Sequence, residues 1–481
     1  MKKIVNYLLI IIFGLFANHW IISPKNGFVF DDWAYLYKFK FTPIGEFFKI
    51  LPDSTYNDRP VGEMFLKILH IFFGDNYQLY HLILLLLHFA NAIFLYQIIL
   101  IVLQNKFPKF KFPANLALIS SIIFTIWPKS TMAVQWNAAI FDLLGTFIVL
   151  IIFRIYLFNS IRIQTKIVKN IFIFSLFFIS LRTKEMFIVL PGILIAYELL
   201  GVKSIKKSVK KIFNIIIAGQ ILISLSYVLL LMSLKSNNNI VNDQTSPYFL
   251  SLNPFTIIEN FFRYVFLYFN YASVEFSFTK YNNIGVIASI IFLIILIIGI
   301  FKSKKNRPNL LLIFFLLPIS LLTVLPLKNI QHNLYLYFPS IFFSLIIAIY
   351  FYLVIAKITK NQNYRLVISI FTLVIITVLT TYSKSITIYR NFWYSVAENN
   401  QKTYQTINAI PAPKTNSTIY VLNVNDAVNS FIQGHGAIFW YSYNDPSLKM
   451  VLNPEFIDKE LDNYLILEYS NGPVKEIKRK E

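Results

Sequence analysis

A chain of 481 residues that is 56% hydrophobic and only 14% charged is not an ordinary soluble globule, in which about a quarter of the residues carry charge. The absence of cysteine excludes disulfides, zinc–thiolate centres and thiol catalysis. A net charge of +21 raises nucleic-acid binding as a class, but the places where the charges fall argue against it.

These proportions describe a polytopic α-helical membrane protein. A transmembrane helix needs about 20 mostly apolar residues. Residues 4–22 supply the first, behind Lys2 and Lys3. The FANHWIISPKNG that follows is a poor cleavage site, so this helix is expected to be retained. Apolar stretches at 79–103, 115–127, 138–158, 170–182, 185–200, 212–234, 284–301, 310–326, 333–356 and 365–383 bring the expectation to about eleven spans.

The connecting segments alternate in charge. One set carries Lys106, Lys109 and Lys111, then Arg162, Lys166 and Lys169, then Lys203 to Lys211, Lys302 to Arg307, and Lys357 to Arg365, with no acid among them. The positive-inside rule places these loops and the N-terminus in the cytoplasm and the C-terminus outside, in the periplasm or medium of a bacterium or the lumen of a eukaryote. The basic charge is thus topological and predicts a lipid bilayer, not nucleic acid, as its partner. Apart from Glu198, every Asp and Glu falls in an external segment or near an outer helix end. Chemistry that needs carboxylates is therefore expected on the external face.

Two external segments are long, 23–78 and 235–283. In the second, the aromatic run after Asn253 and Pro254 reads either as a helix lying in the interface or as an extra core helix. The transmembrane domain is expected over 1–383 and an external C-terminal α/β domain over 384–481. Within the latter, 384–408 reads as an amphipathic helix, PAPK at 411–414 as a linker, and 417–424, 435–443, 448–453 and 463–470 as strands. The tail KEIKRKE reads as a solvated end.

No Gly-rich phosphate loop, HExxH or GxSxG is present. The first candidates are Asp31 and Asp32 in FVFDDWAYL, where one carboxylate could act as a base while the other orients it, raises its pKa or binds a cation. The plain alternative is a solvated loop with two ordinary acids. Arg59 and Pro60 come next. His81, His88 and Asn91 share a face of the second span and suit helix–helix hydrogen bonding better than a metal. Asp142 lies about one turn inside a span, where an acid is either functional or structurally paired. Arg182, Lys184 and Glu185 form a short outer hairpin whose cations could neutralise a lipid phosphate, or anchor at head groups. Lys328, His332, Tyr335 and Tyr337 occupy another outer helix end, where an aromatic belt would account for the tyrosines.

In order, these motifs resemble the polytopic C-type (GT-C) glycosyltransferases, and among them the protein O-mannosyltransferases and their transmembrane tetratricopeptide-repeat relatives. The resemblance covers residues 1–383: Asp31 and Asp32, Arg59-Pro60, Tyr80-His81 with His88 and Asn91, Pro128 with Trp136 and Asp142, Lys184-Glu185 with Pro191, and Tyr335, Tyr337, Pro339 and Ser340. The chain departs from it at Ile140 and Leu334, where relatives carry Arg, and in lacking the repeats. The resemblance implies an inverting transfer from a polyprenyl-phosphate sugar to a protein or glycan acceptor. Asp31 would be the base and Asp32 its helper. Arg59, Arg182, Lys184 and His332 would face the donor phosphate, with His81, Asp142, Glu185, Tyr335 and Tyr337 supporting. A divalent cation is neither assigned nor excluded. The competing expectations are a surface-polysaccharide polymerase or ligase of another fold, a secondary transporter, and a non-catalytic scaffold.

Overall fold

The computed structural model describes residues 2–52, 58–107, 113–158, 163–201, 214–234, 244–269 except 247, 287–297 except 288 and 295, 307–358, 387, 390–424, and 436–480 except 459 and 471. The span expected over 365–383, much of that over 284–301, and most of the basic loop residues lie outside them.

Apolar runs of bilayer length become helices where no proline interrupts them. Helix α1 (Lys2–Asn18) is followed across the first external segment by α4 (Tyr77–Lys106), α5 (Pro113–Ile126), α6 (Pro128–Gln135), α7 (Ile140–Tyr156), α8 (Ile163–Thr183) and α9 (Leu190–Leu199). The later helices are α10 (Ile215–Ser233), α11 (Pro254–Phe269), α12 (Arg307–Leu321) and α13 (Ser340–Ile358). Among the described residues, four helical stretches are long and apolar enough to cross a membrane: Lys3–Ile22, Tyr77–Lys106, Asn137–Tyr156 and Ile215–Ser233. The α5–α6 pair, bent by 53° at Pro128, makes a fifth if it counts as one span. Proline cannot donate the hydrogen bond that would carry α5 onward, so the chain turns there. The stretch 185–200 is not one helix but a 3-10 turn, Glu185–Val189, followed by the ten residues of α9.

The first external segment is more ordered than its polarity suggests. It holds α2 (Asp32–Phe41) and α3 (Pro60–Phe73). Helix α3 starts with Pro60 at its first turn, where a missing N–H costs nothing. It buries Gly62, Leu66 and Leu69 and leaves Ile71 and Phe72 exposed. Lys38 ties α2 to Glu63 of α3 at 2.6 Å. Helix α11 is likewise two-faced, with Asn260, Tyr264, Val265 and Tyr268 buried and Phe255, Ile258 and Phe262 exposed.

The C-terminal region is a helix, α14 (390–409), and a four-stranded sheet. Strands β1 (Thr418–Leu422), β2 (Lys449–Leu452), β3 (Tyr464–Tyr469) and β4 (Val474–Lys480) lie in the order β2-β1-β3-β4. The first two pairings are parallel and the last antiparallel. Two expectations are corrected here. The stretch 435–443 is not a strand: Ala437–Tyr443 form helix α15, entered through Gly436 at φ +84° and left through Asn444 at φ +54°. The left-handed φ at Gly436 is what favours glycine there, since an added Cβ would meet only the flexible end of the Met450 side chain. The aromatic run is helical because it packs on α2, where Trp440 meets Tyr37 and Tyr441 meets Trp33. The basic tail is not frayed either. It is β4, whose Val474 and Lys480 pair with Tyr469 and Tyr464, and whose charges suit a solvent-facing edge. Parallel β1 and β2 joined through α15 make a βαβ unit.

One continuous apolar core runs from Ile10 of α1 through the bundle to Val474 of β4. The C-terminal region is thus packed onto one end of the helix bundle, against α2 of the 23–78 segment.

Candidate active site

The site begins with how the chain leaves α1. Asn26 is fully buried, and its amide donates to the carbonyls of Trp20 at 3.0 Å and Ile21 at 2.7 Å. Its own oxygen accepts from Gln135 of α6 at 3.0 Å. This pins the loop against the bent helix pair. Four residues later Phe30 adopts φ +51°, a left-handed conformation that a bulky residue rarely takes. Trp136 at 5.9 Å and Trp393 of α14 at 5.5 Å cage its ring. Packing holds the strain in place immediately before Asp31, and such strain clusters at functional sites.

The two acids then part. Asp31 occupies the N-cap position of α2 without a side-chain capping bond and is half-buried. Asp32 turns inward and is 2% exposed. Its Oδ2 accepts from the Val29 N–H at 3.0 Å and from Asn137 Nδ2 at 3.3 Å, and its Oδ1 from the Ala138 N–H at 2.9 Å. Burial pushes its pKa up to about 7, although these three donors pull the other way. Asn137 also donates to His81 Nε2 at 3.3 Å, which joins α4 to the same knot. Asp32 therefore fastens α2 to the start of α7, and Asp31 is the more accessible carboxylate.

One turn along α2, Tyr35 sits in the field of Asp31, Asp32, Glu63 and Arg59, and burial raises its pKa. Arg59 makes a two-pronged pair with Glu185, Nε to Oε2 at 3.1 Å and Nη2 to Oε1 at 2.6 Å, with the guanidinium 5.5 Å over Phe141. Next to it Lys184 Nζ lies 2.7 Å from both oxygens of Asp142 and 5.2 Å from the centre of the Tyr335 ring. His332 packs 5.8 Å from Tyr335 and 6.3 Å from Trp136, and its Nδ1 accepts from the Leu334 N–H at 3.1 Å. Burial and the nearby Lys184 charge bring its pKa down to about 3, so it is neutral and cannot serve as a cation at neutral pH. The Arg59–Glu185 and Lys184–Asp142 pairs thus lie within each other's field, Tyr335 and His332 pack beside Lys184, and Asp31 meets this group through the field it shares with Arg59 at Tyr35.

Two expected site residues serve elsewhere. Arg182 is 2% exposed, and its Nη2 donates to Asp58 Oδ2 at 3.0 Å and to the carbonyls of Lys49 and Leu51. It clamps the segment between α2 and α3. The Tyr337 hydroxyl lies 2.8 Å from His88 Nδ1 and accepts from Asn91 at 3.0 Å, deep between α4 and α13. That matches the helix-bridging reading of His88 and Asn91. Tyr35, Asn137 and Asn26 escaped the sequence reading. Asn137 beside Trp136 carried the one available signal, a polar residue just before an apolar span. Among the described residues, no three or more His, Asp or Glu side chains gather as a metal site.

No protein-family model and no curated protein sequence matches the chain. Solved structures do. The structure of ArnT from Cupriavidus metallidurans bound to undecaprenyl phosphate matches with a TM-score of 0.52 over 93% of this chain and 85% of that one, at 10% identity. The Archaeoglobus fulgidus oligosaccharyltransferase, tethered to an acceptor peptide containing the NVT sequon, matches with a TM-score of 0.53 over 94% of this chain and 64% of that one, at 11% identity. The chain therefore has the fold of the GT-C glycosyltransferases, an integral-membrane helical fold. At these identities the likeness establishes fold and nothing finer.

Proposed function

We propose that the protein is a membrane glycosyltransferase that moves a sugar from a polyprenyl-phosphate donor to an acceptor hydroxyl on the external face, with inversion. The observation that carries this reading is the parting of the acid pair. Asp32 is locked by three donors, and half-buried Asp31 remains the more accessible carboxylate, acting with Arg59 on Tyr35. Asp31 takes the proton from the acceptor hydroxyl. The oxygen attacks the anomeric carbon, the bond from that carbon to the phosphate oxygen breaks, and the lipid phosphate leaves. The ArnT structure holds undecaprenyl phosphate, which supports a lipid-phosphate donor here, and the oligosaccharyltransferase holds an acceptor peptide.

The cations named for the phosphate are already neutralised: Arg59 by Glu185, Lys184 by Asp142, Arg182 by Asp58. A donor phosphate would exchange with a carboxylate rather than fill an empty cationic hole. Glu185, whose side chain is 51% exposed, is the partner placed to yield.

The test is transfer from a radiolabelled polyprenyl-phosphate sugar pool in membranes, at matched expression. Asp31→Asn is expected to lower the rate by about 10²- to 10⁴-fold, the usual worth of a general base, while Asp32→Asn retains more activity. If neither substitution matters, the base lies elsewhere. A wild type that transfers nothing from any donor would favour the transporter or scaffold reading.

A further inference from the structure

The 23–78 segment and α14 line an open cleft of about 110 Å³ that the transfer chemistry leaves unused. Phe28 and Trp33 form its floor, Tyr77 and Tyr404 its half-buried walls, and Asp75 and Gln401 its exposed rim. Trp33 lies 5.1 Å from Tyr404 and 6.0 Å from Phe28, and Phe28 lies 6.1 Å from Tyr77. Trp33 follows Asp31 by two residues, which on a helix is about 200° of rotation, so the cleft opens on the opposite side of α2 from the proposed base.

We propose that this cleft is a carbohydrate subsite that holds a glycan acceptor at a distance from its reacting hydroxyl. The inference rests on the glycosyltransferase reading and adds the acceptor class to it. Aromatic walls suit the apolar face of a sugar ring, and a carboxylate and an amide at the rim suit its hydroxyls. Asp75 accepts hydrogen bonds from Tyr404 at 3.2 Å and from Tyr441, so its carboxylate is fixed at the rim rather than free to swing. A fixed negative charge there disfavours phosphorylated or acidic sugars and selects neutral or amine-bearing ones. An extended peptide is matched less well, because the lining comes from helices and loops and offers no strand edge for its backbone.

The cleft also gives the C-terminal region a task. One wall is α14, held down where Asn400 donates to the Phe28 carbonyl at 3.3 Å and Tyr394 to the Trp20 carbonyl at 3.1 Å. Trp33 Nε1 is buried without a partner in the protein, a donor left over beside the cleft floor.

The experiment uses the full chain in lipid nanodiscs. Neutral hexose and N-acetylhexosamine oligosaccharides are the probes, with a Ser/Thr-containing peptide as the counter-probe. Saturation-transfer NMR and tryptophan fluorescence report binding without turnover. Saccharide binding is expected, weakened about tenfold by Asp75→Asn, which loses a charged hydrogen-bond partner. Gln401→Ala, at an exposed position that cannot unfold the chain, is expected to weaken it as well. In transfer assays Gln401→Ala should raise the acceptor KM more than it lowers kcat. Saccharides that do not bind, binding indifferent to both substitutions, or preference for the peptide would each overturn the proposal. Failure of the glycosyltransferase reading looks different: the wild type would bind saccharide yet transfer no sugar.

Discussion

Arg59 and Glu185 stand 126 residues apart and meet through two hydrogen bonds, at 3.1 and 2.6 Å. Their exposures differ: 18% for the arginine side chain and 51% for the glutamate. An ion pair this open to solvent contributes little to stability, on the order of 0.2–1 kcal/mol. Its weight falls on what the arginine can bind. Glu185→Gln should leave the thermal midpoint nearly unchanged and tighten binding of polyprenyl phosphate about fivefold, the equivalent of ~1 kcal/mol. Arg59→Gln should weaken it. Lipid-phosphate titration of the purified protein checks both. If Glu185→Gln weakens binding instead, the glutamate orients Arg59 and does not compete for it.

Lys184 and Asp142 make the contrasting case. Their side chains are 3% and 0% exposed, and both carboxylate oxygens lie 2.7 Å from the ammonium. Removing one partner of a buried pair strands the other charge and costs about 3–5 kcal/mol. Lys184→Met and Asp142→Leu should therefore each lower the thermal midpoint sharply. The double variant should recover much of the loss, because no buried charge remains. Thermal melts of the four proteins in one detergent give the cycle. Additive losses would show that the two groups do not act as a pair.

Much of this arrangement was readable from residue order, and the reasons for the remainder are specific. Asp31 and Asp32 stood out because two acids beside an apolar span are costly to keep. Their opposite fates did not stand out, since Asp32 is fixed by backbone donors from Val29 and Ala138, and the latter lies more than a hundred residues away. Arg182 and Lys184 looked equivalent as hairpin cations. They differ because Asp58 faces one and Asp142 the other. The run 435–443 is rich enough in aromatic residues to read as a strand, yet docking of 437–443 on α2 and the left-handed turn at Gly436 make it helical. Such outcomes depend on partners distant in sequence, and local periodicity carries no record of them.

Phe30 offers a test of stored strain. Truncating a buried phenylalanine costs about 3–5 kcal/mol. At φ +51° an alanine keeps the backbone penalty, whereas glycine escapes it by about 1 kcal/mol. Phe30→Gly should thus be less destabilising than Phe30→Ala, the reverse of the order expected at ordinary backbone angles. Comparing the two melts decides it. An alanine variant more stable than the glycine variant would show that the loop relaxes out of the left-handed conformation.

Asp32 gives a pH dependence whose sign can be worked out. Its pKa rises from 3.8 to about 7 on folding, mainly by burial. The folded chain therefore binds this proton more tightly than the unfolded chain. Its stabilising effect is full below the unfolded value and is lost as pH rises through the folded one. Asp32→Asn has no such proton. The stability of the wild type relative to Asp32→Asn should consequently fall by about 2.6 kcal/mol between pH 5 and pH 8, since each pK unit is worth about 1.4 kcal/mol and the window closes near the folded value. Thermal or denaturant unfolding of both proteins across that range measures it. A relative stability that stays flat across that range would mean that the donors from Val29, Ala138 and Asn137 outweigh burial and hold Asp32 ionised throughout.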